Sequence, residues 1–196
     1  MERINKECPQ SPLVFAARLK QGDLLRRLNQ FGPAQQVYEF LVNNYAQNPG
    51  VFSAEMALAA CHRAQSGPSD VSHFESAATI YERIQELPSA SVDMRVEASF
   101  QLGDLYAARG KADDLVRARD GWWTSVTTFL LDDAQAAQLG VQGRYWTART
   151  LLRLGDLYSQ QQKLERARTA YELILRKNLP FAKLARESFV RVGGKP

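Results

Sequence analysis

The stretch Leu102-Gly103-Asp104-Leu105-Tyr106, written LGDLY, decides the fold because the chain repeats it. The same five residues return unchanged at 154–158, and a close copy, QGDLL, occupies 21–25. A catalytic loop is rarely needed more than once, whereas a structural unit that stacks on copies of itself must recur. The repetition therefore predicts an architecture of similar units, and it bears on function only through that architecture.

An alanine and an aromatic residue follow these motifs at a regular distance. Ala34 is the twelfth residue after Gly22, and Ala167 is the twelfth after Gly155. A tyrosine comes four residues after each alanine. A third copy of this pair follows a run in which Ala59 replaces the glycine, and a looser copy behind Gly103 pairs Ala118 with Trp122. The repeat signature consists of Gly22, Ala34, Tyr38, Ala77, Tyr81, Gly103, Tyr106, Gly155, Tyr158, Ala167 and Tyr171.

The spacing of apolar residues around each motif is that of a helix. Leu151, Leu154, Leu157 and Tyr158 recur every three to four residues. A glycine inside a helix costs about 1 kcal/mol relative to alanine, so a compensating contact is expected. We expect the missing Cβ to let a partner helix approach, with the signature alanines at the contact and the tyrosines one turn further on. The prediction is an all-α fold of antiparallel helix pairs.

This pattern resembles the tetratricopeptide repeat, in which W-x2-L-G-x2-Y is followed by A-x3-F and then by proline. The resemblance rests on Leu154, Gly155, Tyr158, Ala167 and Tyr171, and it extends from about residue 13 to 192. The first-helix tryptophan is missing, and the anchors are 37, 44 and 52 residues apart, which indicates longer helices and inserted loops. The resemblance implies a right-handed superhelical stack of about four helix pairs with a C-terminal capping helix.

The predicted boundaries follow the signature and the prolines that close the units. Residues 1–12 read as the tail end of a preceding, truncated repeat, and 193–196 as a flexible tail. The repeat domain covers 13–192, with units at about 13–49, 51–88, 91–133 and 143–180 and a capping helix at 181–192.

Composition limits the classes of function. The apolar fraction of 45% and charged fraction of 23% are those of a folded globular protein, and no run of 18 apolar residues predicts a membrane-spanning helix. The net charge of +4 is scattered, with acids between the basic residues, which favours solvated faces over a nucleic-acid surface. Cys8, Cys61, His62 and His73 show no metal-ligand spacing, so neither a metal site nor a disulfide is predicted.

Enzyme motifs are missing from the sequence. It contains no phosphate loop, no GxSxG, no HExxH and no dinucleotide-binding glycine pattern. The acidic pairs 113–114 and 132–133 precede helical runs, where acids complement the helix dipole. We therefore predict a non-catalytic protein without catalytic residues, cofactor or metal.

Candidate partner-binding residues lie on the first helices and, for the adjacent tryptophans, in the repeat unit that contains Gly103. Asp23, Asp104 and Asp156 follow the anchor glycines, on the face that lines the concave groove in the family. These acids either form a stripe for a basic ligand or hold contacts between helices. Basic and aromatic candidates extend the set to Arg26, Arg27, Arg63, Arg149, Trp122 and Trp123, with Trp146 as a further possible anchor.

The function that this sequence favours is a protein–protein interaction scaffold that binds a peptide or protein in a groove of stacked helix pairs. The run NNYAQNP at 43–49 and the join CPQSP at 8–12 are similar to the repeats of bacterial envelope lipoproteins, which implies a periplasmic or cell-envelope location and a longer parent protein. The alternatives are an accessory repeat domain of a larger enzyme or assembly machine, and a helical repeat that binds nucleic acid.

Overall fold

The computed structural model describes residues 12–67 and 71–194, and throughout these ranges the chain is helical, without a strand. This agrees with the predicted all-α class. The helices, numbered in chain order, are α1 (Pro12–Arg27), α2 (Phe31–Asn44), α3 (Val51–Gln65), α4 (Val71–Glu86), α5 (Val92–Arg109), α6 (Ala112–Val126), a π-helical segment (Thr127–Leu131), α7 (Asp133–Ala136), α8 (Val141–Gln160), α9 (Leu164–Arg176) and α10 (Ala182–Arg191). The predicted tail of a preceding repeat, 1–12, falls almost entirely outside the described residues.

The chain forms two compact units, Met1–Tyr81 and Glu82–Pro196, and their division lies within α4. In the first unit, α1, α2 and α3 pack consecutively against one another. The shared core contains Phe15, Tyr38, Leu41, Leu58 and Cys61, all buried. Apolar residues on one face of each helix thus stabilise the stack by their removal from water.

The second unit contains the pairs α5–α6 and α8–α9, followed by α10 against α9. The first helices of the two pairs, α5 and α8, also pack side by side. The long third interval arises because α6 continues through the π-helical segment into α7. Phe129 of the π-helical segment packs with Val92 and Val96 of α5, and Leu139 and Trp146 pack against this cluster. The insertion therefore extends the core.

Each anchor glycine makes room for an aromatic ring. A Cβ on Gly22 would lie 2.6 Å from Tyr38 Cε1, one on Gly103 2.5 Å from Trp122 Cε2, and one on Gly155 2.5 Å from Tyr171 Cζ. These distances are far below van der Waals contact, so a side chain at these positions would force the ring to move. The rings are the groups nearest to the glycines, whereas Ala34 and Ala167 are buried and their contact with the glycines stays a prediction.

The turn between the helices of a pair recurs seven residues after the anchor glycine. Asn29 (φ +58°), Gly110 (φ +69°) and Gln162 (φ +58°) are all in the left-handed region. In two of the three turns, the backbone amide of the next residue donates a hydrogen bond to a carbonyl of the first helix. These bonds run from Gln30 N to Leu25 O at 2.9 Å and from Lys163 N to Tyr158 O at 2.8 Å. This is a common way to end a helix, and it lets the second helix begin within a few residues.

The C-terminal helix α10 ends in a hydrogen-bonded turn. The Gly193 amide donates to Val190 O, and the Gly194 amide donates to Phe189 O, both at 2.9 Å. Gly193 and Gly194 therefore terminate α10, whereas they were predicted to begin a flexible tail. Among the described helices, none is both long enough and apolar enough to cross a membrane.

Candidate functional site

Two of the three predicted groove acids accept a hydrogen bond from the signature tyrosine of their own repeat. Tyr38 Oη donates to Asp23 Oδ1 at 2.9 Å, and Tyr171 Oη donates to Asp156 Oδ1 at 2.7 Å. Burial, followed by the hydrogen bond to the carboxylate, raises the pKa of both tyrosines. The contacts agree with the interpretation that these acids join helices, and partner binding by them stays a prediction.

The third acid, Asp104, connects the two first helices of the second unit. It is buried, and its Oδ1 lies 2.7 Å from Arg153 Nη2 of α8, whose side chain is half exposed. This ion pair shows that the facing sides of α5 and α8 adjoin about one turn past their midpoints. Asp156, one turn beyond Arg153, is exposed on the same helix.

The adjacent tryptophans have different environments. Trp122 is 2% exposed, fills the space beside Gly103, and donates from Nε1 to Phe100 O at 3.2 Å. Trp122 occupies the position of the signature tyrosine. Its side chain donates to a backbone carbonyl, whereas the tyrosines of the other repeats donate to an aspartate. Trp123 is partly exposed. Of the two predicted anchors, Trp122 therefore lies in the core, and Trp123 reaches the surface.

Arg149 lies in a cluster of aromatic rings at the start of α8, which we call the aromatic–arginine cluster: Phe100, Tyr145, Trp146, Arg149 and Phe181. The Arg149 guanidinium carbon is 4.6 Å from the Phe100 ring centre, 5.2 Å from that of Trp146 and 5.9 Å from that of Tyr145. The rings also contact one another, with Phe100–Trp146 and Tyr145–Trp146 centroids 5.0 Å apart. Cation–π attraction of this kind fixes the guanidinium at the surface.

Phe181 completes the cluster from the turn before α10. Its ring centre lies 5.5 Å from that of Tyr145, and 38% of the residue is exposed. Phe181 also has φ +67°, which is uncommon for a bulky side chain and indicates local strain. The surrounding fold therefore holds an aromatic side chain at the surface in a conformation that it would not adopt by itself.

The basic candidates of the first unit form a looser group. Arg26 and Arg27 are exposed in the last turn of α1, and Arg63 is partly exposed near the end of α3. A shallow cleft of about 450 Å³ lies between α1 and α2, where Arg18 sits 5.6 Å above the Phe40 ring. The described geometry connects neither Arg27 nor Arg63 with this cleft.

His62 and His73 are brought together although their spacing gave no indication of it. Their Nδ1 atoms are 2.9 Å apart, which links α3 to the first turn of α4. Burial, and then the neighbouring His73, lower the pKa of His62. In this contact one ring must donate and the other accept, and the tautomers decide which does which. The described residues contain no group of three or more His, Cys, Asp or Glu side chains that could hold a metal.

Comparison with known families agrees with this geometry in the last helix pair. Residues 148–176, from the middle of α8 to the end of α9, match the family model described as Tetratricopeptide repeat. The chain therefore contains a tetratricopeptide repeat, formed by α8 and α9. No curated protein sequence matches it. The matched repeat contains Arg149, Arg153, Asp156 and the Gly155–Tyr171 contact, and such repeats in general serve protein–protein interaction.

Sequence reasoning identified part of this surface. It selected Arg149, Asp104 and Asp156 by their places on the first helices, and it noted Trp146 as a possible anchor. It missed Arg153, Tyr145 and Phe181, although Arg153 lies four residues after Arg149 and would share its helix face. Nothing in the sequence signals Phe181, because its position depends on how α10 returns to α8.

Proposed function

We propose that this repeat protein is a non-catalytic scaffold that binds a peptide or protein partner along the inner face of α5 and α8. The observation that carries the proposal is the aromatic–arginine cluster, where a cation and three partly exposed rings, Tyr145, Trp146 and Phe181, meet at one surface. Arginine and large aromatic residues dominate the binding energy of protein interfaces.

Rigidity supports this choice of surface. The Asp104–Arg153 ion pair joins α5 to α8 near their middle, and the ring contacts of Phe100 join them one to two turns earlier. Two helices fixed at two levels present side chains in constant register. Binding of a partner then requires little loss of conformational entropy in α5 and α8.

A peptide library displayed on phage, selected against the intact chain, tests the proposal. Binders are then mapped by the amide chemical shifts that they perturb. We expect the perturbed residues to concentrate on α5 and on the first three turns of α8. Failure to select any peptide, or binders that map to the outer surfaces of α6 and α9, would count against the scaffold at this face.

A location in the bacterial cell envelope and membership of a longer repeat protein belong to the same proposal. They are supported by the similarity of the run at 43–49, and of the join at 8–12, to the repeats of envelope lipoproteins. Fractionation of the source cells, with detection of the native protein by antibody, decides the compartment. Recovery with cytoplasmic markers would remove the envelope part and leave the scaffold intact.

A further inference from the structure

Three arginines project from the first half and middle of α8, and two of them have acceptors within the chain. Arg144 Nη2 donates to Asn178 O at 2.7 Å, and Arg153 Nη2 pairs with Asp104 at 2.7 Å. Arg149, between them, has ring contacts but neither a carboxylate nor a hydrogen-bond acceptor in the part of the chain that the structure describes. Its charge is therefore held in place without being neutralised.

The nitrogens of Arg149 remain within reach of a partner. None of them is among the buried, unpaired nitrogen atoms of the described residues, so solvent reaches the guanidinium. The ring contacts provide no hydrogen-bond acceptor, so the five N–H donors on the edge of the guanidinium are left for a partner. A carboxylate matches that edge, since it can accept two parallel hydrogen bonds from one guanidinium.

An apolar surface lies directly beside this cation. Phe181 is exposed over 38% of its area and contacts Tyr145, whose ring is within 5.9 Å of the Arg149 guanidinium. A partner that places a carboxylate on Arg149 thus brings its neighbouring residues over Tyr145 and Phe181. An acidic or strongly polar neighbour would lose hydration there without compensation, whereas an apolar side chain would gain by burial.

We infer that the aromatic–arginine cluster recognises a peptide segment in which an acidic side chain is followed or preceded closely by an apolar one. The carboxylate binds the edge of Arg149, and the apolar side chain packs on Tyr145 and Phe181. The inference rests on the proposed scaffold function and specifies the chemistry of its partner.

The test uses peptides selected from the phage library on the intact chain. Each Asp or Glu in a selected peptide is replaced by Asn or Gln, one at a time, and affinity is measured by fluorescence anisotropy. Against the wild-type chain, one such replacement is expected to weaken binding about tenfold or more, since the negative charge and one of the two acceptor oxygens that face Arg149 are lost. Against Arg149→Met, which keeps an apolar stem on the rings, the same replacement should have almost no effect.

Arg166→Met is the matched control, because Arg166 also lies over an aromatic ring, 5.8 Å from the centre of that of Tyr158, but on the second helix α9. It should retain the wild-type dependence on the peptide acid. Should Arg149→Met fail to fold, the Arg149 Nε–H resonance of the wild-type chain provides the second measurement. That resonance should shift when the acidic peptide binds and stay unchanged with its amide counterpart.

The possible failures are distinguishable. Selected peptides that lack an acid, or an acid whose replacement costs the same in wild type and Arg149→Met, overturn the inference and leave the scaffold proposal standing. If no peptide is selected at all, the scaffold proposal fails and the inference falls with it.

Discussion

Gly155→Ala tests the packing that defines each repeat, because two effects of opposite sign compete at that position. Alanine is the better helix former by about 1 kcal/mol, so on propensity alone the substitution would stabilise α8. However, the new Cβ would lie 2.5 Å from Tyr171 Cζ, and an ordinary contact begins near 3.4 Å. The ring must therefore move by about 0.9 Å, away from its hydrogen bond with Asp156.

The magnitude follows from these contacts. Overpacking of a filled core costs about 1–3 kcal/mol, and loss of the Tyr171–Asp156 hydrogen bond costs about 1 kcal/mol more. Set against the gain of about 1 kcal/mol in propensity, Gly155→Ala is expected to lower the free energy of unfolding by roughly 1–3 kcal/mol. Urea denaturation followed by circular dichroism measures this change.

Gly121→Ala is the matched control in the same compact unit. Gly121 lies within α6, is exposed, and has no atom within 4 Å of the Cβ that alanine would add. There the propensity gain stands alone, and the variant should be more stable by about 1 kcal/mol. In a Tyr171→Leu background, where no ring lies beside Gly155, Gly155→Ala should no longer lower the free energy of unfolding. If Gly155→Ala stabilises the wild-type chain as Gly121→Ala does, the ring-into-glycine account is wrong.

Three further predictions test other contacts. The pKa of His62 is lowered in the folded protein, so the unfolded chain takes up the proton at His62 at a higher pH, as the pH falls below about 6.5. The free energy of unfolding should therefore decrease from pH 7 to 5.5, as measured by urea titrations at each pH. The decrease should be smaller in His62→Gln. Gln162→Gly removes a non-glycine residue from φ +58° and should raise the midpoint of thermal unfolding, corresponding to about 1 kcal/mol; a lower midpoint would contradict a strained turn. Tyr171→Phe deletes the donor to Asp156 and should cost about 1 kcal/mol in the same denaturation assay, whereas an unchanged stability would show that water replaces the bond fully.

The helix pairs could be predicted from sequence because their determinants are local. Gly155, Leu154 and Tyr158 lie within five residues, and the twelve-residue interval to Ala167 fixes the length of one helix, one turn and the start of the next. What the sequence could not provide was the atom that fills the space beside the glycine. Both Ala167 and Tyr171 lie on the inner face of α9, and only the interhelical distance decides between them.

The candidate site was only partly predictable, since its contacts cross between helices that are far apart in the chain. Phe100 and Arg149 are separated by an insertion that alters the spacing of the repeat, so no alignment of units places one above the other. The His62–His73 pair was missed for a related reason. A spacing of eleven residues suggests no contact within one helix, and the contact instead joins the last turn of α3 to the first turn of α4.

The acids at the three anchor positions have different partners, and the difference accounts for the ion pair between α5 and α8. At Asp23 and Asp156 the acid bonds to a tyrosine of its own repeat, whereas at Asp104 the tyrosine is replaced by Trp122, which bonds instead to the backbone. Asp104 is thereby available to pair with Arg153 of the next first helix. The degenerate signature of one repeat thus accompanies an ion pair to the next, and restoring tyrosine at 122 should compete for Asp104 and weaken the contact between α5 and α8.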